Sequence, residues 1–367
     1  MNLISTIQDL IRFRTETGNA AEIKKAAEYI KNKFVATEAL VEIFQTTASP
    51  VIFIRNTQTL DFDALVLGHI DVVPAPDEMF EPVVKGNLMY GRGTLDMKSF
   101  AAVALNSMEY VLQNKLPLKF GIILSTDEEK GSLSTESFLE AYPQIRAQVV
   151  LDNDVGGDIH EIITKCKNPV FVKLIARGKE AHGSTPWAGI DANEILLQTW
   201  QNIRQIYPYY SLEHNEPQNQ WVDTVHMAKI EGGQVSNVIS NYAEALLDFR
   251  LTENSTVENL EKNLQKCLLN GVTYKIVSAS TPVVMDENNP LIQSYKQLAE
   301  KTINQPLRFV QIGGATDSRA FAVKGSTVIM HSGTGEGMHA SGEYVDIESV
   351  EQVAAIQIKF LEMLAHK

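Results

Sequence analysis

Apolar residues near the start of the chain recur at helical spacing, and short apolar runs follow them. Apolar positions three and four residues apart predict helices, whereas short β-branched and aromatic runs predict buried strands. The predicted helices span residues 4–13, 20–34, 100–113 and 134–142, and the predicted strands span 40–44, 51–55, 64–69, 120–125 and 148–151. Helices that alternate with buried strands predict a three-layer α/β domain.

The pattern changes near residue 168, where apolar and polar residues begin to alternate. Strands are predicted at 170–176, 222–231, 243–251 and 272–278, with helices at 191–207 and 257–269. This order predicts a small α+β, ferredoxin-like insert with one open sheet face. An α/β pattern then returns, with helices at 291–302 and 347–365 and a strand at 326–330. We therefore predict a discontinuous domain of residues 1–167 and 284–367 around an inserted domain of residues 168–283.

Composition narrows the class of protein. A chain of 367 residues is long enough for two domains, and its net charge of −13 argues against nucleic acid or an anionic membrane as a partner. No apolar run approaches the ~20 residues that span a bilayer. The two cysteines form no disulfide framework, so the sequence predicts a cytoplasmic protein.

Acids and histidines stand where predicted buried strands end and in glycine-rich loops. Ligands of open α/β sheets bind outside the carboxyl ends of the strands, so side chains from several strand ends can meet there. Carboxylate oxygens and imidazole nitrogens are metal ligands, and the layout predicts a metal site. The residues concerned are His69, Asp71, Asp96, Glu128, Glu129, Asp154 and His339.

Each of these residues has an ordinary explanation when taken alone. An aspartate such as Asp96 before a helix is a common N-cap, and adjacent acids such as Glu128 and Glu129 fit a solvated turn. Asp71 follows His69 by two residues, so on a strand both side chains share a face and the carboxylate can fix the ring's tautomer. Glu128 and Glu129 point in different directions, so one can bind metal while the other moves a proton.

Together, two histidines and three carboxylates provide two metal positions if one carboxylate bridges them. Zn²⁺ takes such nitrogen and oxygen ligands, and two metals acidify a bridging water and polarise a carbonyl. We therefore expect two Zn²⁺ ions per subunit, with Co²⁺ or Mn²⁺ as alternatives.

Four segments carry a resemblance to a known family. The chain resembles the co-catalytic dizinc exopeptidases and deacylases, which include carboxypeptidase G, aminoacylase, acetylornithine deacetylase, succinyl-diaminopimelate desuccinylase, and tripeptide and carnosine-type dipeptidases. The segments are His69-Ile70-Asp71-Val72-Val73-Pro74, Tyr90-Gly91-Arg92-Gly93-Thr94-Leu95-Asp96-Met97-Lys98, Asp127-Glu128-Glu129 and Met338-His339.

The resemblance implies a role for each residue of the predicted metal site. His69 and Asp154 would hold one metal, Glu129 and His339 the other, and Asp96 would bridge the two. Glu128 would be the general acid/base that activates a metal-bridging water. The family's fold would be a zinc-exopeptidase catalytic domain with an inserted lid and dimerisation domain.

The predicted insert also matches the family. Gly178-Lys179-Glu180-Ala181-His182 and the residues after it resemble a lid segment whose histidine crosses a dimer and stabilises the oxyanion. Asn237 and Arg250 match residues that bind substrate. The resemblance therefore implies a homodimer joined through the insert, with His182 completing the partner's active site.

Two alternatives stay open at the level of sequence. Asp152 rivals Asp154 as the ligand after the strand at 148–151, and Asp154 is preferred because it falls just before Gly156 and Gly157. An aspartate at this position is more typical of aminopeptidases and dipeptidases than of deacylases. We expect a hydrolase that cleaves the amide bond of a small peptide or an N-acylated amino acid, with an N-acyl amino acid deacylase as the alternative.

Overall fold

The structure is a computed structural model that describes residues 2–207 and 221–366. The helices of the described residues are α1 (Leu3–Arg12), α2 (Ala20–Lys33), α3 (Lys98–Gln113), α4 (Leu133–Ala141), α5 (Ala192–Ile206), α6 (Val257–Cys267), α7 (Pro290–Ile303), α8 (Arg319–Ala322) and α9 (Ile347–Ala365). The strands are β1 (Leu40–Phe44), β2 (Val51–Arg55), β3 (Asp61–His69), β4 (Val83–Lys85), β5 (Leu88–Tyr90), β6 (Phe120–Ser125), β7 (Arg146–Asp152), β8 (Glu161–Cys166), β9 (Asn168–Arg177), β10 (Thr224–Gly232), β11 (Tyr242–Leu251), β12 (Val272–Ala279), β13 (Val283–Val284), β14 (Arg308–Ile312), β15 (Thr327–Met330), β16 (Gly335–Glu336) and β17 (Tyr344–Asp346).

The chain folds into two compact units. The first comprises Met1–Thr164, Met285–Val310 and Thr316–Lys367, and the second comprises Lys165–Val284 and Gln311–Ala315. No helix within residues 2–207 or 221–366 is long and apolar enough to cross a membrane.

A mixed sheet forms the centre of the first unit. Within this unit the strand order is β1-β2-β6-β3-β7-β15-β8, and β14 also pairs with β8. The central strands β6, β3, β7 and β15 run parallel, whereas β2 is antiparallel to β6 and β8 is antiparallel to β15. Parallel strands end at the same edge, so the loops after β3, β6 and β7 meet there.

The central strands are apolar on both sides because helices cover both faces of the sheet. Ala64 and Val66 of β3 belong to the cluster that includes α3 and α9. On the opposite face, Phe53 of β2 makes an edge-to-face contact with Phe138 of α4, with ring centroids 5.3 Å apart. The result is a three-layer α/β arrangement, as the sequence predicts.

The second unit is a four-stranded antiparallel sheet with the order β10-β11-β9-β12. Alternate residues of β9, such as Val170, Val172 and Leu174, are buried in one cluster with α5 and α6. Between them, Phe171 and Lys173 are only partly buried. The helices therefore cover one face, and the order strand-helix-strand-strand-helix-strand is the one predicted.

A small antiparallel sheet in the first unit has the order β16-β17-β5-β4. It pairs Tyr344 with Tyr90 and Val345 with Met89. Two segments therefore lie at the same end of this sheet. One is the glycine-rich loop that follows β5, and the other is the segment between β16 and β17. The sequence did not predict these strands, because two or three residues are too few to show a period.

The predicted fold class, an α/β domain with an inserted α+β domain, is confirmed. Most predicted elements agree with the structure to within about three residues, and β1, β2, β6 and α9 have the predicted bounds. Besides β4, β5, β16 and β17, the sequence missed β8, β13, β14 and α8. The functions given to the two domains stay predictions.

Candidate metal centre

Three parallel strands deliver most residues of the predicted metal site to one edge of the central sheet. His69 is the last residue of β3 and pairs with Ser125, the last residue of β6. Glu128 follows β6 in a short 3₁₀ turn. Asp154 lies two residues beyond the end of β7, which also pairs with β3.

Two groups of possible metal ligands form at this edge, and Asp96 belongs to both. His69, Asp96 and Asp154 make the first group, and Asp96, Glu129 and His339 make the second. In each group the three ligand atoms lie within 4.8 Å of one another.

Each histidine places one ring nitrogen against two carboxylates. His69 Nε2 lies 3.0 Å from Asp96 Oδ1 and 3.6 Å from Asp154 Oδ1. His339 Nε2 lies 2.9 Å from both Asp96 Oδ2 and Glu129 Oε2. The two oxygens of Asp96 thus face different histidines, which is the arrangement expected of a bridging carboxylate.

The negative charge of the site shifts the pKa of both imidazoles. Hydrogen bonds to Asp96 and Glu129 raise the pKa of His339 to about 10. Burial, the largest single influence, would lower the pKa of His69, but the charge of Asp154 and hydrogen bonds to Asp154, Asp71 and Asp96 together outweigh it and raise the pKa. Burial likewise opposes ionisation of Asp96, yet hydrogen bonds with His339 and His69 hold its pKa below the usual value. The site favours positive charge beside its carboxylates.

The donor set fits divalent cations better than it fits protons. A ring nitrogen carries at most one proton, yet each Nε2 here faces oxygens of two acids. Glu129 Oε1 is buried and has no hydrogen-bond partner among the described residues. Such an orphaned carboxylate oxygen is costly unless a cation neutralises it. Imidazole nitrogen and carboxylate oxygen are ligands of Zn²⁺ and related metals.

Asp71 holds the turn that carries both glutamates. Its Oδ1 accepts from Glu128 N at 3.1 Å, and its Oδ2 accepts from Glu129 N at 3.3 Å and from Thr17 Oγ1 at 2.7 Å. Thr17 was not among the predicted residues, because nothing near residue 17 in the sequence points to a site 54 residues away. Asp71 therefore positions the acids as well as facing His69.

The contact between Asp71 and His69 differs in detail from the expected one. Strand β3 ends at His69, so Asp71 lies beyond it and the alternation of a strand does not apply. His69 Nδ1 lies 3.0 Å from the backbone oxygen of Asp71 and 3.4 Å from its carboxylate. Both oxygens can accept the Nδ1 proton, which leaves Nε2 free to face Asp96.

Glu128 and Glu129 have different surroundings, as expected for adjacent residues. Glu129 faces His339, whereas Glu128 belongs to neither ligand group. Burial raises the pKa of Glu128 well above its usual value, and the charge of Asp154 raises it further. A carboxyl group with a raised pKa holds a proton more readily than an ordinary glutamate and can pass it on to a stronger base.

The structure gives Asp152 and Asp154 different contacts. Asp154 Oδ1 faces His69, whereas Asp152 Oδ1 accepts from Asp154 N at 2.9 Å and Asp152 Oδ2 accepts from the Thr316 hydroxyl. Burial raises the pKa of Asp152 to about 7, and the neighbouring Asp154 adds to the effect. Asp152 thus anchors the segment of Asp154 and does not join either ligand group.

The remaining predicted site residues belong to the second unit. His182 is exposed, and its Nδ1 lies 2.8 Å from Ser184 Oγ. Asn237 is exposed on a neighbouring loop, where its backbone oxygen accepts from Gly183 N at 2.8 Å. Arg250 is half-buried and makes two hydrogen bonds to Asp248, at 2.9 and 3.0 Å. A substrate carboxylate at Arg250 would have to compete with that aspartate.

Comparison with known families identifies the class of protein. The sequence profile of peptidase family M20/M25/M40 matches residues 65–363, and the chain belongs to this family. It is therefore an enzyme, a hydrolase of the metallopeptidase class, and members of this family use divalent metals.

Individual relatives cover the whole chain at low identity. Succinyl-diaminopimelate desuccinylase of Helicobacter pylori strain G27 is 25% identical over 405 residues, covering 100% of both chains. The structure of aminopeptidase PepT from Bacillus cereus superposes with a TM-score of 0.81 at 18% identity, covering 99% of this chain and 98% of the other. A metallo-carboxypeptidase from Sulfolobus solfataricus gives 0.81 at 18% identity and covers 100% of both chains. At such identities the two structures show the fold alone.

Proposed function

We propose that this enzyme is a dizinc hydrolase that cleaves the amide bond of a small peptide, acting as an exopeptidase or dipeptidase. The observation that carries the proposal is the pair of ligand groups that share Asp96, with Glu128 beside them and outside both. His69 and Asp154 would hold one ion, Glu129 and His339 the other, and Asp96 would bridge them. Co²⁺ or Mn²⁺ would fit the same ligands.

Bound cations would act as Lewis acids that polarise the scissile carbonyl and make water more acidic. Glu128 would accept a proton from the water that attacks the carbonyl carbon. The C–O bond would form in that step, and Glu128 would then give the proton to the nitrogen of the leaving amine as the C–N bond breaks. The raised pKa of Glu128 supports this double role. Asp71 would keep the carboxylate in place through the backbone of Glu128.

Residues of the second unit would complete the site. His182 would donate a hydrogen bond to the oxyanion in the active site of a partner subunit, which requires a homodimer joined through residues 168–283. Asn237 and Arg250 would bind the substrate. The exposure of His182 and Asn237 in a single chain supports such a role, because neither side chain is buried within its own unit. The sequence predicts that the enzyme works in the cytoplasm.

A substrate panel on Zn²⁺-loaded protein tests the proposal. We expect turnover of dipeptides and tripeptides with a free amino or carboxyl terminus, and loss of that turnover when a chelator removes the metal. Turnover that survives complete metal removal would reject the metal-dependent function.

The second candidate is an N-acyl amino acid deacylase. The full-length relationship to the desuccinylase of H. pylori favours it. The aspartate at position 154 supports the peptidase instead, since deacylases of this kind more often carry a glutamate there. N-Acetyl and N-succinyl amino acids belong in the same panel, and preferential turnover of these compounds would replace the peptidase with the deacylase.

A further inference from the structure

Glu343 is a buried carboxylate that none of the roles above uses. Its side chain is 0% exposed. One oxygen, Oε1, accepts from the backbone N–H groups of three residues in the loop after β5, and the distances are 3.0 Å to Gly93, 2.9 Å to Leu95 and 3.2 Å to Asp96. The residue thus holds the loop that carries the shared ligand Asp96.

Arg92 links this carboxylate to the segment of His339. Its Nη1 donates to Glu343 Oε2, and its Nη2 donates to the backbone oxygen of Ala340 at 3.2 Å. Ala340 directly follows His339 and closes a turn by donating from its N–H to Gly337 O at 2.8 Å. His339 itself has a φ of 60°, which a residue with a side chain adopts only when its surroundings hold it.

The small sheet brings these contacts together. Tyr344, the first residue of β17, pairs with Tyr90, the last residue of β5. Glu343, just before β17, therefore lies next to Gly91, just after β5. Gly91 N also donates to the backbone oxygen of Glu343 at 3.1 Å. One buried ion pair therefore ties together two loops whose ligands are 243 residues apart in the chain.

We propose that Glu343 and Arg92 are positioning residues that set the approach of Asp96 to His339, and with it the affinity of the group formed by Asp96, Glu129 and His339 for a divalent cation. The inference rests on the proposed function insofar as it takes the two ligand groups as cation sites. Hydrogen-bond partners of metal ligands typically account for a factor of 10–100 in metal affinity.

Arg92→Lys separates positioning from the burial of charge. Lysine keeps the positive charge beside Glu343 but lacks the planar fork that lets Arg92 bind the carboxylate and Ala340 O at once. We expect the variant to fold and to bind one Co²⁺ per chain as the wild type does. The second Co²⁺ should bind about 10–100-fold more weakly. Calorimetric titration of chelator-stripped protein measures both steps, and the visible Co²⁺ spectrum of the second step should change.

Glu343→Gln tests the other side of the link. The amide oxygen can still accept from the three backbone N–H groups. The amide nitrogen, however, is itself a donor and cannot accept the hydrogen bond from Arg92. We expect the same selective weakening of the second Co²⁺. The double variant should weaken binding by less than the product of the two single effects, because both changes break one link.

Asn56→Ala is the matched control. Asn56 also joins two segments by hydrogen bonds, to Leu118 O at 2.7 Å and from Phe120 N at 2.9 Å, but at the opposite end of β6. We expect it to lower the melting temperature without changing Co²⁺ affinity.

The outcomes are distinguishable. If the wild type binds no Co²⁺, the proposed function itself fails. If the wild type binds two ions and Arg92→Lys binds both equally well, Arg92 and Glu343 have only a structural role and the inference is overturned. Loss of the folded state in Arg92→Lys would overturn it as well, since the pair would then be a requirement of folding.

Discussion

At the scale of single residues, the adjacent acids Glu128 and Glu129 have different proposed roles, Glu128 as the acid/base and Glu129 as a metal ligand. Glu129 contacts His339 directly, whereas Glu128 is a half-buried acid with a raised pKa outside both ligand groups. We predict that Glu128→Gln retains bound metal but lowers turnover by about 10²–10⁴-fold, the usual contribution of general acid–base catalysis. Elemental analysis and steady-state kinetics on the same sample measure both quantities.

Glu129→Gln is the control for this prediction, because it changes the adjacent acid in the same way. It should lower metal content, since Glu129 is one of three ligands in its group. Metal loss in Glu128→Gln with retention in Glu129→Gln would reverse the two assignments.

His331, which belongs to neither ligand group, provides a test of stability against pH. Its Nε2 lies 2.8 Å from Ile159 O, which can only accept, so Nε2 carries the proton and Nδ1 is free to accept from the Tyr295 hydroxyl at 3.0 Å. The neutral ring is therefore satisfied, and burial lowers the pKa of His331 to about 4. The unfolded chain, with an ordinary histidine pKa of about 6.5, binds the proton first as pH falls.

We predict that His331 contributes stability that is fully present above about pH 6.5 and is lost as the pH falls toward about 4. The loss is on the order of 3 kcal/mol. Urea unfolding of wild type and His331→Asn at several pH values measures it, because the other titrating groups cancel in the difference. The free-energy difference between the two proteins should shrink toward pH 4, and a difference that does not change with pH would contradict the assignment.

At the scale of elements, the sequence predicted the long periodic segments and missed the short ones. Helix α9 and strand β6 show their pattern within their own residues, so their bounds could be predicted. Strands β16 and β17 have only two and three residues, and β17 pairs with β5, which lies far earlier in the chain. Pairing of this kind leaves no local signal.

The same distinction holds for the candidate site. The candidate ligand types and their positions at strand ends could be predicted from the sequence, since β3, β6 and β7 contain apolar runs that end just before these residues. The hydrogen bonds by which Thr17 holds Asp71 and Glu343 holds Asp96 could not be predicted. Each joins residues that are far apart in the sequence.

Gly335, in strand β16 of the small sheet, allows a prediction at the scale of elements. A methyl group on Gly335 would collide with the backbone oxygen of Tyr344, the residue before Val345, which pairs with Gly335 across β16 and β17. We predict that Gly335→Ala destabilises the protein by about 1–3 kcal/mol, the usual effect of overpacking, and weakens cation binding at His339. Gly342→Ala is the control, because its added methyl group meets no atom of the described residues within 4 Å. Equal melting temperatures and Co²⁺ affinities for the two variants would contradict the prediction.

At the scale of the whole molecule, the proposed function requires two chains for one complete site. Family membership is shown for the chain, whereas the homodimer and the action of His182 across it are proposals. His182→Ala should lower turnover by about 10²–10³-fold, the typical effect of removing an oxyanion donor, with metal content unchanged.

Mixing His182→Ala chains with Glu128→Gln chains tests whether His182 acts on the partner. In a mixed dimer, one site would carry both defects and the other would have intact Glu128 and intact His182. After random exchange of equal amounts, we expect activity to recover to roughly a quarter of the wild-type value. Absence of recovery after demonstrated subunit exchange would show that His182 does not act across the dimer.

The central claim is that two divalent cations share Asp96 and support hydrolysis. The most direct measurement is a calorimetric Zn²⁺ titration of chelator-stripped protein, with hydrolysis of a cleavable peptide or N-acyl amino acid followed at each addition. The account predicts that two Zn²⁺ ions bind tightly per chain and that activity appears as they bind. Full activity in the stripped protein, or the absence of any tight Zn²⁺ binding by folded protein, would contradict it.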